Sequence, residues 1–213
     1  MPTQPRSGRD LIARHGETVF NAAGRLQGEA AHTPLTRAGI AQAEAMGRAL
    51  HALLGPAPAL TLWASPTGRA LQTLAIVAEH LGLDWHRTRT DPRLGEIGMG
   101  GWGGRSYADL AAERGGIVDR ASGLLVPAPD GEGYPAIARR VGGWLADTAD
   151  DPGDRLVIGH GISSRVLRGL ATGAAPDPFA GVAVAPGLPQ GSVSLVENGV
   201  EAVAHRGTGH APA

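Results

Sequence analysis

Short apolar runs alternate along this chain with longer segments whose apolar residues recur every three or four positions, and that alternation constrains the fold most. Asp10–Arg14, Leu60–Ala64 and Arg155–Gly159 read as buried strands. Thr36 caps a helix over Arg37–Leu54, with Ile40, Ala43, Gly47, Leu50 and Leu54 on one face. Ser65 caps a second helix that starts at Pro66 and stops at Gly82. Tyr134–Ala149 and Ile162–Thr172 are helical by the same spacing. Trp85–Thr90 alternates like an edge strand, and Ser106 with Asp109 forms a capping box for a short helix ending near Gly115. Ser192–Glu197 and Val200–Ala204 form a hairpin around Asn198-Gly199. Strands alternating with helices predict an α/β fold, a three-layer sandwich with a mostly parallel central sheet flanked by helices. The expected organisation is one domain over residues 10–204, with 97–134 as a loop and lid region. Residues 1–9 are expected to be a flexible N-terminus and 205–213 a loose tail, its His205 and His210 solvated.

In an open α/β sheet, ligands bind beyond the carboxyl ends of the strands. Two of the eight histidines stand there: His15 in L-I-A-R-H-G and His160 in L-V-I-G-H-G. One histidine at a strand end is most often a structural residue. Two in matching strand–His–Gly contexts point to a joint site. Arg14, beside His15, and Arg69, inside the helix after Leu60–Ala64, add positive charge to that edge.

Composition narrows the chemistry. The chain has no cysteine, which removes disulfides, zinc–thiolate sites and cysteine nucleophiles. It also has no lysine, since all 19 basic residues are arginine, so a Walker-type phosphate loop and a Schiff-base lysine are ruled out. Arginine holds anions but does not readily give up its proton. Acid–base work falls to histidine, carboxylate or tyrosine. A net charge of −1 provides no basic field for nucleic acid or for an anionic membrane. The longest apolar stretch, Phe179–Leu188, is short and contains Pro186. Met1–Gly8 lacks an apolar signal core, so a cytoplasmic location is expected.

Four groups of residues carry a more specific pattern. The first is Arg14-His15-Gly16-Glu17-Thr18 with Asn21, Arg25, Gln27-Gly28 and Pro34-Leu35-Thr36. Next come Ser65-Pro66-Thr67-Gly68-Arg69-Ala70 with Gln72-Thr73, then Leu94-Gly95-Glu96 with Gly100-Gly101-Trp102, and last His160-Gly161. In this order they resemble the signatures of the histidine phosphatase superfamily, the phosphoglycerate mutase-like fold, in its phosphatase branch. The resemblance implies that His15 is a nucleophile attacking phosphorus, with Arg14, Arg69 and His160 around the transferring group. It implies that Asn21 donates to the phosphate and that Gln27, Gly28 and Gly161 contact the substrate. Glu96 matches the proton donor to the leaving oxygen. The substrate would be a small phosphate ester, handled with no metal and no cofactor.

The chain departs from the family pattern at His32, where an acidic residue is common, and at Trp102-Gly103-Gly104, where Trp-Glu-Gly is common. Residues 105–133 are shorter than the mutase insertion and contain neither Lys nor Trp. An open, glycine-rich mouth favours water as acceptor, so metal-independent phosphomonoester hydrolysis is expected. The alternatives are a cofactor-dependent phosphoglycerate mutase and a non-catalytic phospho-ligand binding or scaffold module. Gly98–Gly103 spells G-x-G-x-x-G, but no buried strand precedes it. Arg105, Arg114, Arg120, Arg139 and Arg140 are placed either to meet a second anionic group or to face solvent. The pattern specifies no oligomeric state.

Overall fold

The computed structural model describes residues 6–210. Six strands form one sheet: β1 (Asp10–Arg14), β2 (Leu60–Ala64), β3 (Arg89–Thr90), β4 (Asp154–Gly159), β5 (Val193–Glu197) and β6 (Val200–His205). Their order is β3-β2-β4-β1-β5-β6. The first four run parallel, β5 is antiparallel to β1, and β6 returns antiparallel to β5. The helices are α1 (Val19–Ala22), α2 (Arg37–Leu54), α3 (Gly68–Leu81), α4 (Tyr107–Arg114), α5 (Tyr134–Asp147) and α6 (Ile162–Ala171). Among the described residues no helix is long and apolar enough to cross a membrane.

The three layers follow from the two-residue period of a strand. On one face Leu11, Ala13, Leu62, Ala64, Leu156 and Ile158 pack against Met46 and Leu50 of α2 and Leu74, Val77 and Leu81 of α3. On the other face Ile12, Trp63 and Val157 pack against Ile137, Val141 and Trp144 of α5 and Ile162 and Val166 of α6. Both faces of the parallel strands are therefore buried, as near-continuous apolar runs require. The 97–134 region adds Trp102, Leu110, Leu124 and Leu125 to the second cluster.

Several boundaries differ from expectation. The helix after β2 starts at Gly68 with Thr67 as its N-cap, not at Pro66. The Ser65 amide still bonds Ile158 O (3.1 Å), so residue 65 continues the sheet ladder and the chain turns only after it. Trp85–Thr90 is not one strand. Asp84 accepts from the His86 amide (2.9 Å) and winds 85–87 into a 3-10 turn, leaving Arg89–Thr90 as β3. The polar loop after β1 contains α1, closed by a Thr18–Asn21 capping box.

Described residues near each end of the chain make polar contacts. Arg6 bonds Asp10 (2.6 Å) and Gly153 O (2.7 Å), and Arg9 bonds Asp154 (2.6 Å). The Gly207 amide bonds Ser192 Oγ (2.9 Å). Residues 1–5 and 211–213, parts of the segments expected to be loose, lie outside the described residues.

The polar residues Asp10 and Arg155 are nearly fully buried where β1 and β4 begin their pairing. Arg155 Nε bonds Asp10 Oδ1 (2.7 Å), Nη1 bonds Thr148 Oγ1 (2.6 Å), and the guanidinium lies 4.2 Å from the Trp144 ring centroid. Removing Asp10 leaves the buried Arg155 guanidinium without its carboxylate partner. Asp10→Ala is expected to destabilise the fold by about 3–5 kcal/mol, read as a lower urea midpoint at unchanged slope. A loss below about 1 kcal/mol would show that the pair is solvated.

Candidate active site

Parallel pairing places Arg14 opposite Gly159, so the residues that follow them leave the sheet side by side. The His15 amide extends the ladder to Gly159 O (3.1 Å), and the His15 and His160 rings meet edge to face with centroids 5.2 Å apart. Both rings are buried. Gly16 is required behind His15, because a Cβ there would lie 2.3 Å from Gly39 O in α2.

The hydrogen bonds assign the tautomers. His15 Nδ1 sits 2.7 Å from Gly16 O, a carbonyl that only accepts, so Nδ1 carries the proton and Nε2 keeps its lone pair. Arg69 Nε donates to His160 Nδ1 (3.2 Å), so His160 carries its proton on Nε2, a buried atom with no protein partner. Burial is the largest influence holding both imidazoles well below their usual range, followed by the charge of Arg69. Arg14 adds to the effect on His15. Burial also pulls Arg14 and Arg69 down to about 10, partly offset by Glu96, so both remain cationic at neutral pH.

A pocket of about 470 Å³ opens over His15. Of the residues singled out from sequence, Arg14, His15, Asn21, Gln27, Gly28, Glu96 and Gly161 line it. Asn21 Oδ1 accepts from the Thr18 amide (3.1 Å) and from Gln27 Nε2 (3.3 Å), which fixes both amides and leaves Asn21 Nδ2 as a donor. Gly28 has φ +47°, and a Cβ there would lie 2.6 Å from Met99 Cγ. Glu96 accepts from the amides of Gly161 (2.8 Å), Ile162 (3.0 Å) and Ser163 (2.9 Å), capping α6 while facing the pocket.

Arg69 and His160, expected around the transferring group, are fully buried, His160 against the His15 ring and Arg69 against His160, and neither lines this pocket. Arg69 is fully buried and also donates to Gly28 O (2.7 Å), Ala30 O (2.7 Å) and Thr33 Oγ1 (3.1 Å), so it braces the 28–33 loop. Arg105 pairs with Glu113, Arg140 pairs with Glu132 (2.7 Å), and Arg114 lies over Trp102. None of these three lines the pocket, and Arg120 and Arg139 are exposed.

Several pocket residues were not legible in the sequence. Tyr107 reaches the wall because its amide ties the start of α4 to Gly24 O (2.9 Å), and burial raises its hydroxyl. Gln190, buried before β5, and His210 also line the wall. His210 is exposed, as expected, while its carbonyl accepts from Arg14 Nη1 (2.7 Å), which also donates to Leu188 O (2.9 Å). Among the described residues no cluster of three or more His, Asp or Glu is arranged to hold a metal ion.

The model of the histidine phosphatase superfamily (branch 1) matches residues 11–202. The candidate phosphoglycerate mutase GpmB of Yersinia pestis is 33% identical over 159 residues, covering 71% of this chain and 69% of that protein. A candidate alpha-ribazole-5'-P phosphatase of Escherichia coli superposes with a TM-score of 0.71 at 25% identity, over 95% of this chain and 97% of that one. The mycobacterial glucosyl-3-phosphoglycerate phosphatase in complex with VO3 shares the fold, with a TM-score of 0.72 at 23% identity over 89% of this chain and 92% of its own.

The buried neutral histidines couple stability to pH. Unfolded imidazole takes up a proton near about pH 6.5, where the native rings do not. This stabilisation is fully present above that pH and is lost on acidification, by up to roughly 1.4 kcal/mol per pH unit for each ring. Guanidinium titrations at about pH 7.5 and pH 5 should show the loss, reduced in His15→Asn. A flat wild-type profile would contradict the neutral assignment.

Proposed function

The chain belongs to the histidine phosphatase superfamily, branch 1, and on that premise we propose that it hydrolyses a small phosphomonoester through a phosphohistidine at His15. One observation carries the reading: the Gly16 carbonyl holds the proton on His15 Nδ1, leaving the Nε2 lone pair available beside Arg14 at the pocket floor. An imidazole kept neutral by burial and by two guanidiniums is ready to attack without first losing a proton.

Nε2 bonds to phosphorus as the ester P–O bond breaks, and the bonding pair leaves on the alcohol oxygen. Glu96 delivers the proton that turns this oxygen into the alcohol. Water then attacks phosphorus and gives a proton to the Glu96 carboxylate. The P–N bond breaks, and its electron pair returns to Nε2. Arg14 and the Asn21 amide bind the equatorial oxygens, and His160 Nε2–H is the remaining donor at the His15 ring. A cation 4 Å from a phosphoryl oxygen is worth roughly 4 kcal/mol at an effective dielectric of 20, so a few such contacts lower the barrier substantially. Arg69 acts through His160 and the 28–33 loop.

The pocket wall favours hydrolysis of a monophosphate over exchange between phosphoglycerates. Arg14 and Arg25 are its arginines, and Arg25 already donates to Gly104 O (2.7 Å). One phosphoryl group uses Arg14 and leaves one cation at the rim. A bisphosphate primer and a phosphoglycerate each require more. The mutase reading stays in view because of the GpmB relative, and stimulation by a bisphosphate primer would identify it.

The test is p-nitrophenyl phosphate hydrolysis in EDTA by wild type and His15→Ala. The substitution is expected to lower turnover by at least about 10³-fold. Label transferred from substrate should be stable in alkali and lost in acid, as a phosphohistidine is. Equal activity of the two proteins would sink the proposal.

A further inference from the structure

Glu96 is gripped from two sides. Its carboxylate rests on the first amides of α6, and its main chain is held by Arg140 of α5. Arg140 Nη1 donates to Arg93 O (2.6 Å) and Gly95 O (2.8 Å), and Nη2 donates to Glu96 O (3.2 Å). The remaining donors go to Glu132: Nε to Oε1 (2.7 Å) and Nη2 to Oε2 (2.9 Å). A guanidinium has five N–H groups, and here each has an acceptor. Arg140 therefore has no donor left for a second anionic group of a ligand. Glu132 extends the clamp by accepting from the Gly98 amide (3.2 Å).

We propose that Arg140, oriented by Glu132, is a positioning residue that sets the backbone of the Glu96 loop and so aims the Glu96 carboxyl at the leaving oxygen. This rests on the proton-transfer role given to Glu96 above. The loop needs such a clamp: residues 95–99 belong to no helix or strand, and the segment includes two glycines, Gly95 and Gly98, whose missing side chains restrict the backbone least. Three carbonyls converge on one planar fork, a geometry that a lysine point charge cannot reproduce. The clamp lies outside the pocket wall, so it acts on proton delivery and not on phosphate binding.

Substituted phenyl phosphates separate the two, because a poor leaving group needs the proton and a good one does not. The readout is kcat/KM, which reports the step up to phosphohistidine formation, across p-nitrophenyl, phenyl and p-methoxyphenyl phosphate. Arg140→Ala should lower the value for phenyl phosphate by about 10- to 100-fold and leave that for p-nitrophenyl phosphate within about 3-fold. Arg140→Lys should fall between wild type and Arg140→Ala, and Glu132→Gln should change in the same direction. An equal fall across the series, with a lowered melting temperature, would mean that Arg140 only supports the fold, and an unchanged series would mean that it does nothing. Either result overturns the inference. Glu96→Gln on the same series keeps the two ideas apart. If it steepens the dependence on leaving group and the Arg140 variants do not, the clamp alone is wrong. If Glu96→Gln leaves the dependence unchanged, the acid role itself fails and the inference falls with it.

Discussion

The parallel pairing of β1 with β4 is the constraint on which the rest depends. Its first rung, Asp10 with Arg155, is locked by a buried ion pair, and its last, Arg14 with Gly159, releases two histidines side by side. A slip of one residue would turn Leu11 and Ala13 onto the wrong face and carry His15 away from His160. Register, core and site are thus one decision. The charged end tolerates no slip, because a displaced Arg155 would be a buried cation without a partner.

At the other end of the strands the chain gathers cationic and neutral groups with little acid. Two buried guanidiniums stay charged because arginine begins far above neutral pH, and their charge joins burial in keeping both imidazoles unprotonated. A lysine in the same position would be driven toward its neutral form by the same desolvation. The absence of lysine from the chain is compatible with this site, whose fixed positive charge comes from arginine alone. Arginine here also serves as a structural fastener: Arg69 ties the 28–33 loop, Arg140 the 93–98 loop, and Arg14 the Leu188 and His210 carbonyls.

Local pattern and real structure diverge where a side chain or a neighbouring strand outcompetes propensity. Ser65-Pro66 looks like a helix start, but the Ser65 amide is already engaged by β4. Trp85–Thr90 alternates like a strand, yet the Asp84 side chain takes the His86 amide and turns it. Arg69 carried a clear signature, and only the fold shows that three acceptors on the 28–33 loop also take donors from its guanidinium. Tyr107, Gln190 and His210 carried no signature, since nothing local says which distant loop will close over the pocket.

The amino-acid order by itself determined the strand and helix succession, the pairing of two strand–His–Gly endings and the family pattern around them, because period, caps and short motifs are local properties. It also determined that cysteine and lysine chemistry could have no part. Only the tertiary structure decided which nitrogen of each histidine holds the proton, which arginines face the pocket and which brace it, and that Glu96 is anchored on α6 and Arg140. The reason is physical. Tautomer, burial and donor allocation depend on acceptors such as Gly16 O, Gly28 O and Glu132, and folding alone sets their distances from a given side chain.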